Sequence, residues 1–170
     1  MKELPKRKPN RLNNYDYSAN GAYFITICVA ERKNLLSDIE GNIVGAIINR
    51  PKLTLKEIGI IAEEYIKEIP MHYRYVNVDN YVIMPNHIHI LLQINRKFEE
   101  RAIDNRPYNT DVSTIIKEFK SAVTKKAGQS IWQKSFHDHI IRNENDYEMI
   151  WEYIETNPEK WTDDCFYTEG

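Results

Sequence analysis

Residues 76–94, VNVDNYVIMPNHIHILLQI, constrain the fold more than any other part of the chain. The runs VNVDNYVIM and IHILLQI are rich in β-branched and aromatic residues and read as strands. Only the short MPNH connection joins them. A parallel pair needs a crossover of a dozen or more residues, so these two strands pair antiparallel and a purely parallel sheet is excluded.

The remaining elements follow from periodicity and punctuation. AYFITICVA predicts a central strand, NIVGAIINR (42–50) a weaker one, and SFHDHIIR a short one. LTLKEIGIIAEEYIKEIP spaces Leu55, Ile58, Ala62, Tyr65, Ile66 and Ile69 for a helix that ends before Pro70. DVSTIIKEFKSAVTKKAG predicts a helix opened by Thr110 or Asp111 and closed by Gly128. DYEMIWEYIETN predicts a last helix stopped by Pro158, with Tyr147, Ile150, Trp151 and Ile154 on its core face. Residues 95–109, which include Pro107, predict a loop. The expected class is α+β, an antiparallel sheet with helices packed mainly on one face.

With 170 residues the chain suits one domain, read as a basic arm over 1–20 and a single domain over 21–170. No apolar run is long enough to span a bilayer, and the basic, polar start lacks a signal-peptide core, so a cytoplasmic, non-membrane protein is expected. Cys28 and Cys165 match no zinc or redox spacing. The net charge of −2 does not demand a nucleic-acid partner. Its distribution permits one: over residues 1–11, Lys2, Lys6, Arg7, Lys8 and Arg11 stand against Glu3, whereas Lys160 alone opposes nine acids from residue 143 onward. Arg7, Lys8 and Arg11 are candidate phosphate contacts, and Tyr15 or Tyr17 could stack a base; a solvated terminus would show the same charges. Lys117 and Lys120, three apart on the middle helix, are further candidates against the same alternative.

His87 and His89 lie two apart on a strand, so both imidazoles leave the same sheet face while Ile88 and Ile90 point to the other. Two converging nitrogens suit a divalent cation, although two surface or hydrogen-bonded histidines would share the pattern. His137 and His139 repeat the spacing, and periodicity does not rank the pairs. Tyr153 and Asn157 form an i, i+4 pair on the last helix, a phenol beside a neutral amide oxygen; a partly buried tyrosine beside a helix-terminal Asn is the plainer reading.

These pieces together resemble a known family. NYDYSANGAYFITICV, DNYVIMPNHIHILL, IIKEFKSAVTKK and IWQKSFHDHIIRNENDYEMIWEYIETNPEKWTDD occur in the order found in HUH single-tyrosine transposases, in the branch of REP-associated tyrosine transposases. The resemblance implies a ferredoxin-like, RRM-like fold with the two histidines on a central strand. It implies that His87 and His89 ligate Mg²⁺ or Mn²⁺ with Asn157 as third ligand, and that Tyr153 is the nucleophile. It places His137 and His139 in packing or substrate contacts. The implied activity is metal-dependent nicking and strand transfer on hairpin-bearing single-stranded DNA through a 5′-phosphotyrosine intermediate, by a monomer or a homodimer. A DNA-binding protein that has lost cleavage, and a zinc hydrolase using the HxH pair with a further ligand, are the rival readings.

Overall fold

The computed structural model describes residues 15–41, 51–96 and 111–168. Six strands and three α-helices are described: β1 (Gly21–Cys28), β2 (Ser37–Glu40), β3 (Lys52–Leu55), α1 (Glu57–His72), β4 (Val76–Ile83), β5 (His87–Ile94), α2 (Val112–Ala127), β6 (His137–Ile141) and α3 (Glu144–Thr156). The main sheet has the order β4-β5-β1-β6 with every neighbouring pair antiparallel, the ferredoxin-like arrangement. The expected strand over 42–50 and the basic residues Arg7, Lys8 and Arg11 lie outside the described residues. Of the expected arm, residues 15–20 are described and pack down. Tyr17 is buried, bonds Asp138 Oδ2 at 2.7 Å and clusters with Tyr15 and Tyr23, so it holds the fold rather than facing a base.

The two sheet faces do different work. One carries Tyr23, Ile25, Ile27, Ile88, Ile90 and Leu92 against Ala62, Ile66 and Ile69 of α1 and Ile115, Phe119 and Val123 of α2. Removing such a side chain from water contributes about 2 kcal/mol, which makes this the main core. The opposite face carries Ala22, Leu91 and the partly buried Phe24 and Val82, covered by Ile154, Tyr147 and Ile150 of α3. Two helices thus share one face and the third lies on the face that bears the histidines. Trp151, expected in the core stripe, is 39% exposed. It stands about 100° around the helix from Ile150, beyond the strip that the sheet covers.

A bulge sets the side chains under α3. Val78 pairs Leu92 and Asn80 pairs Leu91, leaving Asp79 as the extra residue of β4. The bulge turns Asp79 and Asn80 toward α3, where Tyr147 donates to Asp79 at 3.0 Å and Asn80 donates to Glu155 at 3.0 Å.

Helix ends follow the capping rules. Asp111 accepts from the Thr114 N–H at 2.6 Å, and Gly128 closes α2 in the left-handed region at φ 69°. The first helix departs from expectation by running through Pro70 to His72, with Tyr73 N–H bonded to Ile69 O. Proline in a last turn removes one hydrogen bond, which the packing of Ile66 and Ile69 offsets.

Gly59 meets the backbone of the loop before β2. A Cβ there would sit 1.9 Å from the Leu36 carbonyl oxygen. Helix propensity alone would make Gly59→Ala stabilising by about 1 kcal/mol. The clash reverses the sign: we expect a loss of about 3 kcal/mol, read as a fall in the urea midpoint, and a midpoint at or above wild type would contradict this packing.

Candidate active site

The alternation of β5 sends His87 and His89 to the α3 face, where both are buried. Their cross-strand partners on β1 are Cys28 and Thr26. The two Nε2 atoms face each other at 3.0 Å. Each ring is held from behind. The Asn86 amide nitrogen lies against Phe166 O at 2.8 Å and Arg32 O at 3.2 Å, which turns Asn86 Oδ1 to accept from His87 Nδ1 at 3.0 Å. The His87 proton therefore sits on Nδ1, and Nε2 presents a lone pair. Thr26 Oγ1 lies 2.9 Å from His89 Nδ1, and a hydroxyl serves that nitrogen as donor or acceptor. Glu31 and Arg32 both adopt left-handed φ, 57° and 55°, and this turn presents the Arg32 carbonyl to Asn86.

Burial holds the pKa of both imidazoles well below the ordinary value, with mutual repulsion adding to the effect at His89. The nearby Asp164 charge opposes this at His87 without reversing it. Both rings are neutral at neutral pH, the form that binds metals.

The last helix brings in the expected partners. Tyr153 Oη lies 3.4 Å from His89 Nε2, and the phenol ring packs edge-on to Phe24 and His89. The chain then enters a 3₁₀ turn, Asn157–Asp163, in which Asn157 and Trp161 are buried. Asn157 Nδ2 donates to Asp164 Oδ2 at 3.2 Å, while Asn157 Oδ1 is buried without a partner. Asp164 Oδ2 lies 4.0 Å from His87 Nε2, and the Asp164 side chain is 3% exposed. His87, His89 and Asp164 offer ligand atoms that all lie within 4.8 Å of one another. A buried orphan oxygen beside two facing nitrogens and a carboxylate fits a divalent cation.

Asp164 escaped the reading of the sequence because it lies in an acidic stretch that looks merely solvated. Its signal was the NP step after α3, which starts the turn that folds the chain back. The Phe166 N–H bonds Asp164 Oδ1 at 2.7 Å and fixes the carboxylate.

The second histidine pair does not form such a cluster. His137 and His139 share the sheet face, opposite Thr26 and Phe24, but both are exposed, and His139 pairs with Asp146 at 2.9 Å. Lys120 directs its ammonium at the Gln133 carbonyl, 2.6 Å away, and Lys117 is exposed on α2.

The family model described as "Transposase IS200 like" matches residues 22–157, a span that contains the histidines, Tyr153 and Asn157. The chain belongs to the IS200-like transposase family. As a member of that family it is a DNA-processing enzyme. This transposase is 33% identical to an uncharacterised protein of Haemophilus influenzae, over 96% of the chain and 94% of that protein. It is 30% identical to the REP-associated tyrosine transposase of Escherichia coli over 49% of the chain and 44% of that protein. Its fold matches a solved REP-associated tyrosine transposase bound to a REP hairpin, with TM-score 0.62 and 22% identity, covering 88% of the chain and 73% of that structure. No helix among the described residues is long and apolar enough to cross a membrane.

Outer partners of metal-bound histidines tune affinity by about 10- to 100-fold. Thr26→Val and Asn86→Ala are therefore each expected to weaken Mn²⁺ binding at least tenfold in a calorimetric titration. Wild-type affinity in both would show that the rings need no such support.

Proposed function

We propose that this transposase nicks single-stranded DNA with Tyr153 as nucleophile, at a centre where His87, His89, Asn157 and Asp164 hold Mg²⁺ or Mn²⁺. The observation that carries this reading is the convergence of the Tyr153 phenol on the buried His87–His89–Asp164 cluster, beside the unpaired Asn157 oxygen. When bound, the cation would neutralise charge on the scissile phosphate and orient it.

The chain's own residues supply the rest. Tyr153 Oη attacks phosphorus, the bond from phosphorus to the 3′ oxygen breaks, and that oxygen leaves as a 3′-hydroxyl on taking up a proton. The product is a 5′-phosphotyrosine. A later 3′-hydroxyl attacks that linkage, releases the phenol and restores a phosphodiester, so transfer needs no external energy. Burial and the Asp164 charge push the Tyr153 pKa up, whereas its hydrogen bond with Asn157 pulls it down. The resting nucleophile is thus a neutral phenol, and a divalent cation held by the cluster would favour its ionisation.

The donor set suits both candidate metals, since amide and carboxylate oxygens are hard ligands and imidazoles favour Mn²⁺ over Mg²⁺. Because Tyr153 meets the histidines of its own chain, we read one chain as holding a complete centre, with a homodimer not required for chemistry. The solved neighbour's REP hairpin supports a hairpin-bearing strand as substrate. A chromosomal substrate of that kind would place the enzyme in the cytoplasm. His137 and His139 fit substrate or packing roles.

The test is incubation with Mn²⁺ and a pool of hairpin-bearing single-stranded oligonucleotides. Wild type should give a covalent protein–DNA product resolved by denaturing electrophoresis, Tyr153→Phe none, and His137→Ala much of it. A product from Tyr153→Phe equal to wild type would remove the nucleophile assignment. A zinc hydrolase would instead purify with stoichiometric zinc and keep its activity in Tyr153→Phe.

A further inference from the structure

A groove of about 510 Å³ lies away from the catalytic cluster, between one stripe of α2 and the segment 130–136 that leads into β6. Lys117, Lys120 and Lys134 line it and no acidic residue does, although the whole chain carries a net charge of −2. Lys117, Ser121 and Thr124 follow one another at i, i+4 and i+7, so an ammonium and two hydroxyls run along one wall. Lys117 and Lys134 are exposed, and neither forms an ion pair among the described residues. Lys120 plays another part. It donates to Gln133 O at 2.6 Å and lies 3.4 Å from the Lys134 and Ser135 carbonyls, which ties the two walls together and fixes a positive charge between them. Trp132, also in the lining, is 92% buried and its indole N–H has no partner. The Trp132 ring thus forms part of the floor of the groove, and its buried indole N–H is not a contact offered to a ligand.

The groove lies on the α2 side of the sheet, and its segment 130–136 is tied by the backbone to the strand beside His87. Gln133 N–H bonds Cys28 O at 2.9 Å, and Cys28 is the cross-strand neighbour of His87. His137 is exposed opposite Thr26, on the face of His89. From β5 across β1 to the edge strand β6 is two strand spacings, about 10 Å, and a single strand would round that edge to enter the groove on the α2 side.

We propose that this groove carries the single strand of DNA on one side of the cleaved phosphate, with Lys117 and Lys134 on its phosphates and the strand passing His137 on its way from Tyr153. The inference rests on the reading of the enzyme as acting on single-stranded DNA. Charge favours a polyanion, and the volume admits a nucleotide or two but no duplex.

The test is fluorescence anisotropy with full-length protein and a fluorescein-labelled twelve-residue oligothymidylate. The double variant Lys117→Glu/Lys134→Glu should bind at least tenfold more weakly at about 50 mM salt. Its slope of log affinity against log salt should fall by about 1.4, from roughly 0.7 per phosphate contact on a single strand. Both positions are exposed, and unchanged thermal melting checks that the variant folds. Lys52→Glu, on the separate two-stranded sheet, should bind as wild type does. A double variant that binds within twofold of wild type would overturn the groove and leave the cleavage reading standing. Failure of wild type to bind any single strand would overturn both. Preference of wild type for a twelve-pair duplex, lost in the double variant, would overturn the single strand as occupant.

Discussion

The antiparallel pairing of β1 with β5 is the constraint on which the face that bears the histidines depends. With a period of two, one register decides that Ile88, Ile90 and Leu92 enter the core under α1 and α2 while His87 and His89 face α3. A slip of one residue would bury two imidazoles among the aliphatic side chains and expose the isoleucines. That cost holds the register. It also places Thr26 directly beside His89, so the strand pairing that builds the core also orients that imidazole.

The electrostatics follow from that burial. Two imidazoles held neutral, one amide and one carboxylate give a donor set of net charge −1 at neutral pH. A divalent cation would leave one positive charge to meet phosphate. Asp164 enters through the turn after α3, so Tyr153, Asn157 and Asp164 arrive on one continuous stretch of chain. Asp79 and Asn80 anchor the outer side of that helix on the bulged β4. The α3 helix is therefore positioned twice, once by Ile154 on Leu91 and once by these polar contacts.

Much of the frame could be read from residues close in sequence. The β4–β5 hairpin, the Asp111 cap and the Gly128 close are local signals, and each stands where its chemistry put it. The bulge was not read from the sequence, although the apolar positions of β4 shift from 76 and 78 to 81 and 83. What a stripe rule misses is the width of the surface that receives a helix, and Trp151 stays exposed for that reason. His87 and His89 could not be told from His137 and His139 by spacing. Burial, the opposed Nε2 atoms and the arrival of Asp164 separate them, and all three are tertiary.

The central claim is that the buried pair, not the exposed one, forms a metal centre. Electron paramagnetic resonance of Mn²⁺ titrated into the protein tests it most directly, because free and bound ion are counted without reference to DNA. The structure leads us to expect one bound Mn²⁺ per chain in wild type and in His137→Ala/His139→Ala, and none at matching concentration in His87→Ala/His89→Ala. Stoichiometric binding by His87→Ala/His89→Ala, with loss in the other variant, would contradict it.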